Sequence, residues 1–350
     1  MKFVHIADLH FDAPFTVLNA SNRLGEKRRE EQLKCFEQVI EYVRENKIEF
    51  LFIAGDLYEN EYVKDKTIDY INDLFKQIED TAIFITPGNH DPYLKNSYYR
   101  TYNWNSNVHI FNGQVKKYSY ENVDIYGFGF EDFYVQNSGV DSIKIEDASK
   151  TNILVVHGDI DITSQYNQMS SQKLNSLGFD YIALGHVHNS NYESDAKWVY
   201  PGSLVSMGFD EIGNHGMVVG TINQNGVKTE FIKLDTMDFV EQEHDISELD
   251  SNEEIIESIN SLEIDENKFY KIILEGNRKF NLDINKINKK IAIENIIRAK
   301  DNTKADYDLE AIARENNVKG YFVEELLKRM EDSENKEEIK RAIEIGLEVL

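Results

Sequence analysis

The chain has 350 residues, a formal net charge of −25 and a single cysteine. Its length predicts about two domains, and one cysteine excludes an intramolecular disulfide. No apolar run reaches the roughly 20 residues that span a bilayer, and the first residues enter a strand pattern without a signal peptide. We therefore expect a cytoplasmic protein that contacts no membrane.

The acidic charge argues against broad, non-specific attraction to phosphate backbones. Any nucleic-acid surface must be local, screened by bound metal, or supplied by a partner. One small basic cluster, Arg23, Lys27, Arg28 and Arg29, is a candidate, although a solvated helix start would also explain it.

Short apolar strands alternate with amphipathic helices over the first two-thirds of the chain. Strands are predicted over residues 3–7, 50–54, 82–86, 123–130, 153–156 and 181–184, with more strand in 197–205 and 216–234. Helices are predicted over 28–46 and 66–79. This alternation predicts an α/β domain in which two sheets pack together with helices outside.

The pattern of predicted helices and strands changes beyond residue 234. A helix over 252–262, a strand over 269–275 and another over 291–298 predict a small α/β domain, and helices follow over 309–316, 322–331 and 336–350. We thus predict domains over 1–235 and 236–304 and a helical segment over 305–350. The last helix carries an apolar stripe that must pack on the small domain or on a partner helix.

Polar side chains follow five of the predicted strands. They are Asp8 and His10 in "ADLH", Asp56 in "AGDLY", Asn89, His90 and Asp91 in "TPGNHDP", His157 in "VVHGD", and His186 and His188 in "ALGHVHNS". Each could be a helix cap, a turn residue or a core histidine. Together they hold five of the nine histidines, at strand ends where open α/β sheets bind ligands.

These side chains have the chemistry of metal ligands. Carboxylates, an amide oxygen and imidazoles suit Mn²⁺, Fe²⁺ or Zn²⁺, and the lack of thiolates argues against a purely structural zinc site. One ion cannot use so many ligands. Two ions about 3.5–4 Å apart could, with Asp56 as the bridge.

The five blocks D-x-H, G-D, G-N-H-D, H-G and G-H-x-H resemble those of the calcineurin-like metallophosphoesterase superfamily. "FVHIADLHFDAPF" and "YPGSLVSMGFDEIGNHG" further resemble DNA double-strand-break repair nucleases of the Mre and SbcD type, closest to a bacterial exonuclease branch called YhaO. The resemblance implies a four-layer α/β/β/α sandwich with a small α/β capping domain and C-terminal helices.

The resemblance also implies roles for single residues. Asp8, His10 and His188 would bind one metal, Asn89, His157 and His186 the other, and Asp56 both. His90 would be the catalytic histidine that donates a proton to the leaving oxygen, with Asp91 orienting it, while the metals activate the attacking hydroxide. The ions would be two divalent metals, with Mn²⁺ expected before Fe²⁺ or Zn²⁺.

We therefore predict a metal-dependent DNA repair exonuclease. The arginines that mark the superfamily's protein phosphatases are missing from "GDLYENEY" and "ITPGNHD". Two alternatives stay open: a phosphodiesterase for cyclic nucleotides or other small diesters, and a DNA-end-binding scaffold subunit. The partners expected besides DNA are an ATPase of the SbcC/YhaN type with long coiled coils, docked on the C-terminal helices, and a second copy of the chain through residues 66–79.

Overall fold

A computed structural model of the protein describes residues 1–15, 18, 22–136, 138–194, 196–331, 333 and 335–350. The chain divides into two compact units, Met1–Asp238 and Phe239–Leu350. Except for residues 236–238, the segments predicted over 236–304 and 305–350 both lie in the second unit. The capping and partner-binding roles of these segments stay predictions.

The first unit contains a six-stranded sheet. Its strands are β1 (Lys2–Ile6), β2 (Phe50–Ile53), β3 (Ala82–Ile85), β4 (Val108–Ile110), β10 (Gly216–Asn223) and β11 (Gly226–Lys233). The order across the sheet is β11-β10-β1-β2-β3-β4. The strands β1 to β4 are parallel, whereas β10 pairs antiparallel with β1 and with β11.

A second sheet has five strands. They are β5 (Lys116–Ser119), β6 (Val123–Gly127), β7 (Thr151–His157), β8 (Tyr181–Gly185) and β9 (Trp198–Val199). They lie in that order, with β6 to β9 parallel and β5 antiparallel. The strand expected over 197–205 is only the two residues of β9.

Helices cover the outer faces of both sheets. They are α1 (Asn22–Glu45), α2 (Asp65–Lys76), α3 (Tyr98–Thr101) and α4 (Ser171–Ser176), with a 3₁₀ helix at Gly139–Ser142. On β1, Phe3 packs in the core between the sheets, while Val4 packs in the core beneath α1 and α2. Because consecutive strand residues point to opposite faces, a strand buried on both faces is apolar throughout. The predicted α/β/β/α layering is confirmed.

Arg28 of α1 does not belong to an exposed basic patch. Its side chain is fully buried, pairs with Glu31 at 2.5 Å and donates hydrogen bonds to the carbonyl oxygens of Ser206 and Met237. The side chain of Arg23 lies outside the described residues. Arg28 therefore stabilises the fold, because a buried guanidinium needs acceptors for its donors.

The second unit combines small sheets with helices. Its elements are β12 (Asp238–Asp245), α5 (Asn252–Asn260), β13 (Lys268–Glu275), β14 (Asn277–Arg278), α6 (Ile284–Lys290), β15 (Ile296–Asp301), β16 (Lys304–Ala305), α7 (Leu309–Ala313), α8 (Val318–Glu331) and α9 (Lys336–Val349). The sequence patterns do not predict α6, and the strand expected over 291–298 begins later, at β15. Sheet order is β12-β13-β15, with β14 and β16 as a separate pair.

The apolar stripe of α9 packs on α8. Ile343 and Leu347 are buried in one cluster with Val323, so the stripe finds its partner within the second unit. In the part of the chain that the structure describes, no helix combines the length and apolarity needed to cross a membrane.

Candidate metal centre

The polar residues that follow the parallel strands are buried together. Asp8 and His10 follow β1, Asp56 follows β2, and His157 ends β7; each of these four residues is at most 1% exposed. Four ionisable groups at this depth are costly unless they compensate one another or hold a cation. Their burial therefore points to a site.

Two groups of ligand atoms converge there. The donor atoms of Asp8, His10 and His188 all lie within 4.8 Å of one another, and so do those of Asp56, His157 and His186.

Asp56 reaches both groups. Its Oδ2 is 3.7 Å from Nε2 of His10 and 3.3 Å from Nε2 of His157. The amide oxygen of Asn89 lies 3.0 Å from His157 Nε2 and 3.0 Å from His186 Nδ1. The structure thus brings together all seven predicted ligands and places Asp56 between the two groups.

The hydrogen bonds on the far side of three imidazoles fix which nitrogen faces the centre. Nδ1 of His10 lies 2.8 Å from Glu59, Nδ1 of His188 lies 2.6 Å from Glu211, and Nδ1 of His157 lies 2.9 Å from the carbonyl oxygen of Ala54. These oxygens only accept, so each Nδ1 carries the proton and each Nε2 presents a lone pair.

Those lone pairs point at other acceptors. Nε2 of His10 and Nε2 of His188 are 3.0 Å apart, and Nε2 of His157 faces the oxygens of Asn89 and Asp56. Such contacts repel unless a cation or an added proton lies between them. Imidazoles that donate one N–H to a carboxylate or carbonyl and turn the other nitrogen inward are typical of metal sites, so the residues fit divalent cations.

In the metal-free protein, protons on the imidazoles replace the cation between these acceptors. Burial by itself would lower the pKa of His157, but Asp56 and Asp8 raise it to about 9. Burial opposes protonation of His188 likewise, while the hydrogen bond to Glu211 and the nearby Asp8 raise its pKa to about 9. The carboxylates of the centre therefore strongly favour bound positive charge, from protons or from metal ions.

The loop backbones are held in uncommon conformations. The φ angles of Asp8, His10, Asp56 and His186 are 54°, 47°, 52° and 114°, in the region that side chains rarely adopt and that is concentrated at functional sites. Gly88 allows a close approach, since a Cβ there would overlap Oδ1 of Asp56.

His90 differs from the seven ligand candidates. Its side chain is 45% exposed, and its Nδ1 lies 3.0 Å from Oε2 of Glu59. That hydrogen bond is the main cause that raises the pKa of His90, and the carboxylate of Asp56 adds to it. His90 also belongs to a group of possible ligands with His10 and Asp56, but its exposure and raised pKa favour a proton donor that faces the solvent side.

The role of Asp91 in orienting His90 stays a prediction, and the charge of Asp91 adds to the raised pKa of His90. The Asp91 carboxylate is fully buried and accepts hydrogen bonds from the backbone N–H groups of Leu57 and Gly88, each at 2.6 Å, and from the Tyr99 hydroxyl at 2.5 Å. Asp91 thus fixes the loop that presents Asp56. Burial and the charge of Asp56 raise the pKa of Asp91 to about 6.

The sequence analysis does not predict three acidic residues of the site. Glu59 bonds to both His10 and His90, Glu211 bonds to His188, and Asp159 lies 3.4 Å from His186 Nε2. Glu59 could have been found, because it follows Asp56 by three residues in the same loop. The sequence carries no comparable signal for Glu211.

Residues 1–190, more than half of the chain, match the sequence profile of the Metallophos family, described as "Calcineurin-like phosphoesterase". A Bacillus subtilis (strain 168) protein named "Uncharacterized metallophosphoesterase YhaO" is 24% identical over 245 residues. The match covers 66% of this chain and 60% of that protein, so the chain spans less than two thirds of its relative.

Two solved structures are similar at lower levels. TT1561 of Thermus thermophilus matches 66% of this chain and 98% of its own, with a TM-score of 0.38 and 10% identity. A dimetal phosphatase from Danio rerio (LOC 393393) matches 67% of this chain and 98% of its own, with a TM-score of 0.35 and 10% identity. Likenesses at this level say nothing about the substrate.

The family profile covers every strand end that carries a ligand candidate. Members of this family use a dinuclear metal centre, in agreement with two donor groups that share Asp56. The chain belongs to the calcineurin-like phosphoesterase family.

Proposed function

We propose that the protein is a DNA repair exonuclease that hydrolyses phosphodiester bonds at its dinuclear centre with His90 as proton donor. The observation that carries the hydrolytic part is the arrangement of His90: a half-exposed imidazole beside the ligand groups, with Nδ1 held by Glu59. Because Nδ1 is occupied, Nε2 is the nitrogen left to meet a substrate.

One ion would be held by Asp8, His10 and His188 and the other by Asn89, His157 and His186, with Asp56 shared. Bound there, divalent ions supply Lewis acidity and lower the pKa of a coordinated water. The chain itself holds and orients the proton donor. Glu59 fixes the ring of His90 and favours its protonated form, from which Nε2–H donates to the departing 3′ oxygen.

The charge distribution supports a nucleic-acid substrate. In a chain of net charge −25, residues 268–304 carry ten lysines and arginines against four carboxylates. Arg298 and Lys300 of β15 are exposed, whereas Lys271 of the adjacent strand β13 is buried and paired with Glu241. A basic region inside an acidic chain is the local phosphate-binding surface that the composition demands.

A small-diester phosphodiesterase is the second candidate. The cleft beside His90 has a volume of only about 290 Å³ and is lined by the carboxylates of Glu59 and Glu61, which suits a compact substrate. A DNA-end-binding scaffold subunit is the third candidate; it would be expected to have lost ligands, and all seven are present.

One set of assays tests these candidates. Manganese-dependent digestion of end-labelled single- and double-stranded DNA is compared with hydrolysis of a cyclic dinucleotide and of a chromogenic monoester, and release of nucleotides from DNA ends is the expected result. Hydrolysis of the dinucleotide alone would support the second candidate, and binding of DNA ends without hydrolysis the third.

The variant His90→Ala tests the proton donor. It should lower kcat by about 100-fold or more, the usual contribution of a general acid, and leave the metal content unchanged. Loss of metal together with activity would show that His90 is a ligand instead.

We also propose that an ATPase of the SbcC/YhaN type, with long coiled coils, docks on the α8–α9 hairpin. Val318 and Tyr321 of α8 and Ile345 and Val349 of α9 are exposed by 69%, 61%, 55% and 81%. A Cβ at Gly346 would overlap the ring of Phe322, so the start of α8 meets the end of α9.

These four apolar side chains therefore share one end of the hairpin, and exposed apolar patches of this kind mark interaction sites. Ile345→Glu should abolish co-purification with the ATPase, and the exposed Lys340→Glu should not. Equal co-purification of the ATPase with both variants would refute docking on this end of the hairpin. The homodimer through residues 66–79 stays a prediction by family analogy.

A further inference from the structure

The cleft beside His90 has an aromatic lining. Phe133, Tyr134 and Tyr166 line it together with Asn89 and His90. Tyr134 is 57% exposed, and its ring stacks on that of Tyr166 with 5.9 Å between centroids and 30° between planes. A large exposed aromatic side chain next to reacting groups is informative, because its free face can stack against another flat ring.

The aromatic pair is held in place by the backbone. Val135 donates a hydrogen bond to the carbonyl oxygen of Gln165, and Asn167 donates one to that of Val135, each at 2.9 Å. The side chain of Asn167 also donates to the carbonyl oxygen of His157 at 2.6 Å.

The ring of Tyr166 lies 5.2 Å from that of His186. The two tyrosines are thus tied to the strand end that carries a metal-ligand candidate. A surface fixed in this way loses little conformational freedom when it binds a ligand.

The charges of the cleft show which part of a substrate it suits. Among the described residues that line it, Glu59 and Glu61 are carboxylates and none is a lysine or arginine. Apart from His90, which is assigned to the leaving oxygen, the charged side chains of the lining would repel a further phosphate group. The volume of about 290 Å³ lies just below the ~300–1,000 Å³ usual for ligand pockets, which suits one flat, uncharged ring system.

We infer that Tyr134 and Tyr166 form a stacking platform for the nucleobase next to the scissile phosphate. This inference rests on the proposed function, because it takes the phosphodiester to be part of a nucleic acid. Stacking on tyrosine accepts every base, but a base inside a duplex is already stacked and paired. The platform therefore favours single-stranded or frayed ends over intact duplex.

A binding assay tests the platform without turnover. The probe is a phosphorothioate-linked, hydrolysis-resistant tetranucleotide with one 2-aminopurine, whose fluorescence is quenched when the base stacks. Wild type and Tyr134→Phe should quench it with equal affinity, and Tyr134→Ala should bind about 5- to 100-fold more weakly, the usual effect of losing one base–aromatic stack.

The matched control is Tyr62→Ala, because Tyr62 is 50% exposed in the same unit and does not line the cleft. It should behave as wild type. Wild-type quenching and affinity in Tyr134→Ala would overturn the platform.

A kinetic assay separates this inference from the proposed function. KM is measured on a single-stranded oligonucleotide and on two versions of it with an abasic residue on either side of the scissile bond. Tyr134→Ala should raise KM about 5- to 100-fold on the intact strand and leave it unchanged on one abasic version.

An equal rise on all three substrates would refute the platform while DNA hydrolysis stands. If wild type cleaves no DNA, the proposed exonuclease fails, and the quenching assay still decides whether the cleft stacks a base.

Discussion

Glu59 provides the sharpest test of the site, because one side chain bonds to two histidines. Its Oε1 is 2.8 Å from Nδ1 of His10 and its Oε2 is 3.0 Å from Nδ1 of His90. Burial alone would raise the pKa of Glu59, yet the hydrogen bonds from both histidines hold it near 2. Glu59 thus stays ionised over the whole working pH range.

The substitution Glu59→Gln keeps the shape and removes the charge. The amide oxygen can accept from one imidazole N–H, but the amide nitrogen cannot accept from the other. Hydrogen bonds to charged groups contribute about 1.5–3 kcal/mol, and about 1.4 kcal/mol is a factor of ten in rate. Because His90 is 45% exposed, water screens the interaction, and we expect a loss near the lower end, about tenfold in kcat.

The loss should depend on pH. Glu59 is the main cause of the raised pKa of His90, so the variant loses the protonated, proton-donating form at a lower pH than wild type. The profile of kcat against pH, measured with saturating Mn²⁺, should therefore show its alkaline limb displaced to lower pH and only a small difference at acidic pH.

The matched control is Glu61→Gln, which removes the same charge from the same cleft and should leave kcat near wild type. Equal losses in the two variants, or a loss that is uniform with pH, would refute the idea that Glu59 acts through His90.

Three further outcomes follow from the structure. Asp56→Asn should lose both ions, because Asp56 reaches both donor groups; retention of two ions per chain in elemental analysis would contradict its bridging position. Metal uptake by EDTA-treated protein should release protons near pH 7.5. The metal-free pKa values of His157 and His188 are raised to about 9, so both imidazoles are protonated at pH 7.5 and must lose those protons to bind metal. Affinity should accordingly fall with falling pH, and uptake without proton release in a weakly buffered indicator assay would argue against this. Ile343→Ala, at a fully buried position of α9, should lower the free energy of unfolding of the second unit by about 2–4 kcal/mol in urea titrations, whereas Val349→Ala at an exposed position of the same helix should change it by less than about 0.5 kcal/mol; similar values for the two would contradict the packing of α9 on α8.

The sequence was most informative where a local pattern decides the structure. Strands such as β2 and β7 are apolar on both faces, so they can only lie inside a layered domain. Within each sheet, the residues that follow such strands must then gather at one edge, because parallel strands end on the same side. This is why the residue pattern alone was enough to group Asp8 and Asp56, which follow neighbouring parallel strands. His157 ends β7 in the second sheet, so its place beside them depends on how the two sheets pack.

The element bounds depended more on tertiary contacts. Helix α1 begins at Asn22, six residues before the predicted start, because Arg28 in its first turns is buried and bonded to the carbonyl oxygens of Ser206 and Met237. These partners lie about 180 and 210 residues away along the chain. A local pattern of charges cannot show them, and it favours a solvated helix start instead.

The outer layer of the site was decided by tertiary structure alone. Asp91 is adjacent to His90 in sequence, yet its carboxylate turns inward to five backbone and hydroxyl donors, and Glu59, 31 residues away, bonds to the His90 ring. Sequence by itself determined the layered fold and the set of ligand candidates, since both follow from residue type and strand direction. Which carboxylate orients which imidazole depends on how two loops pack against each other, and only the folded chain decides that.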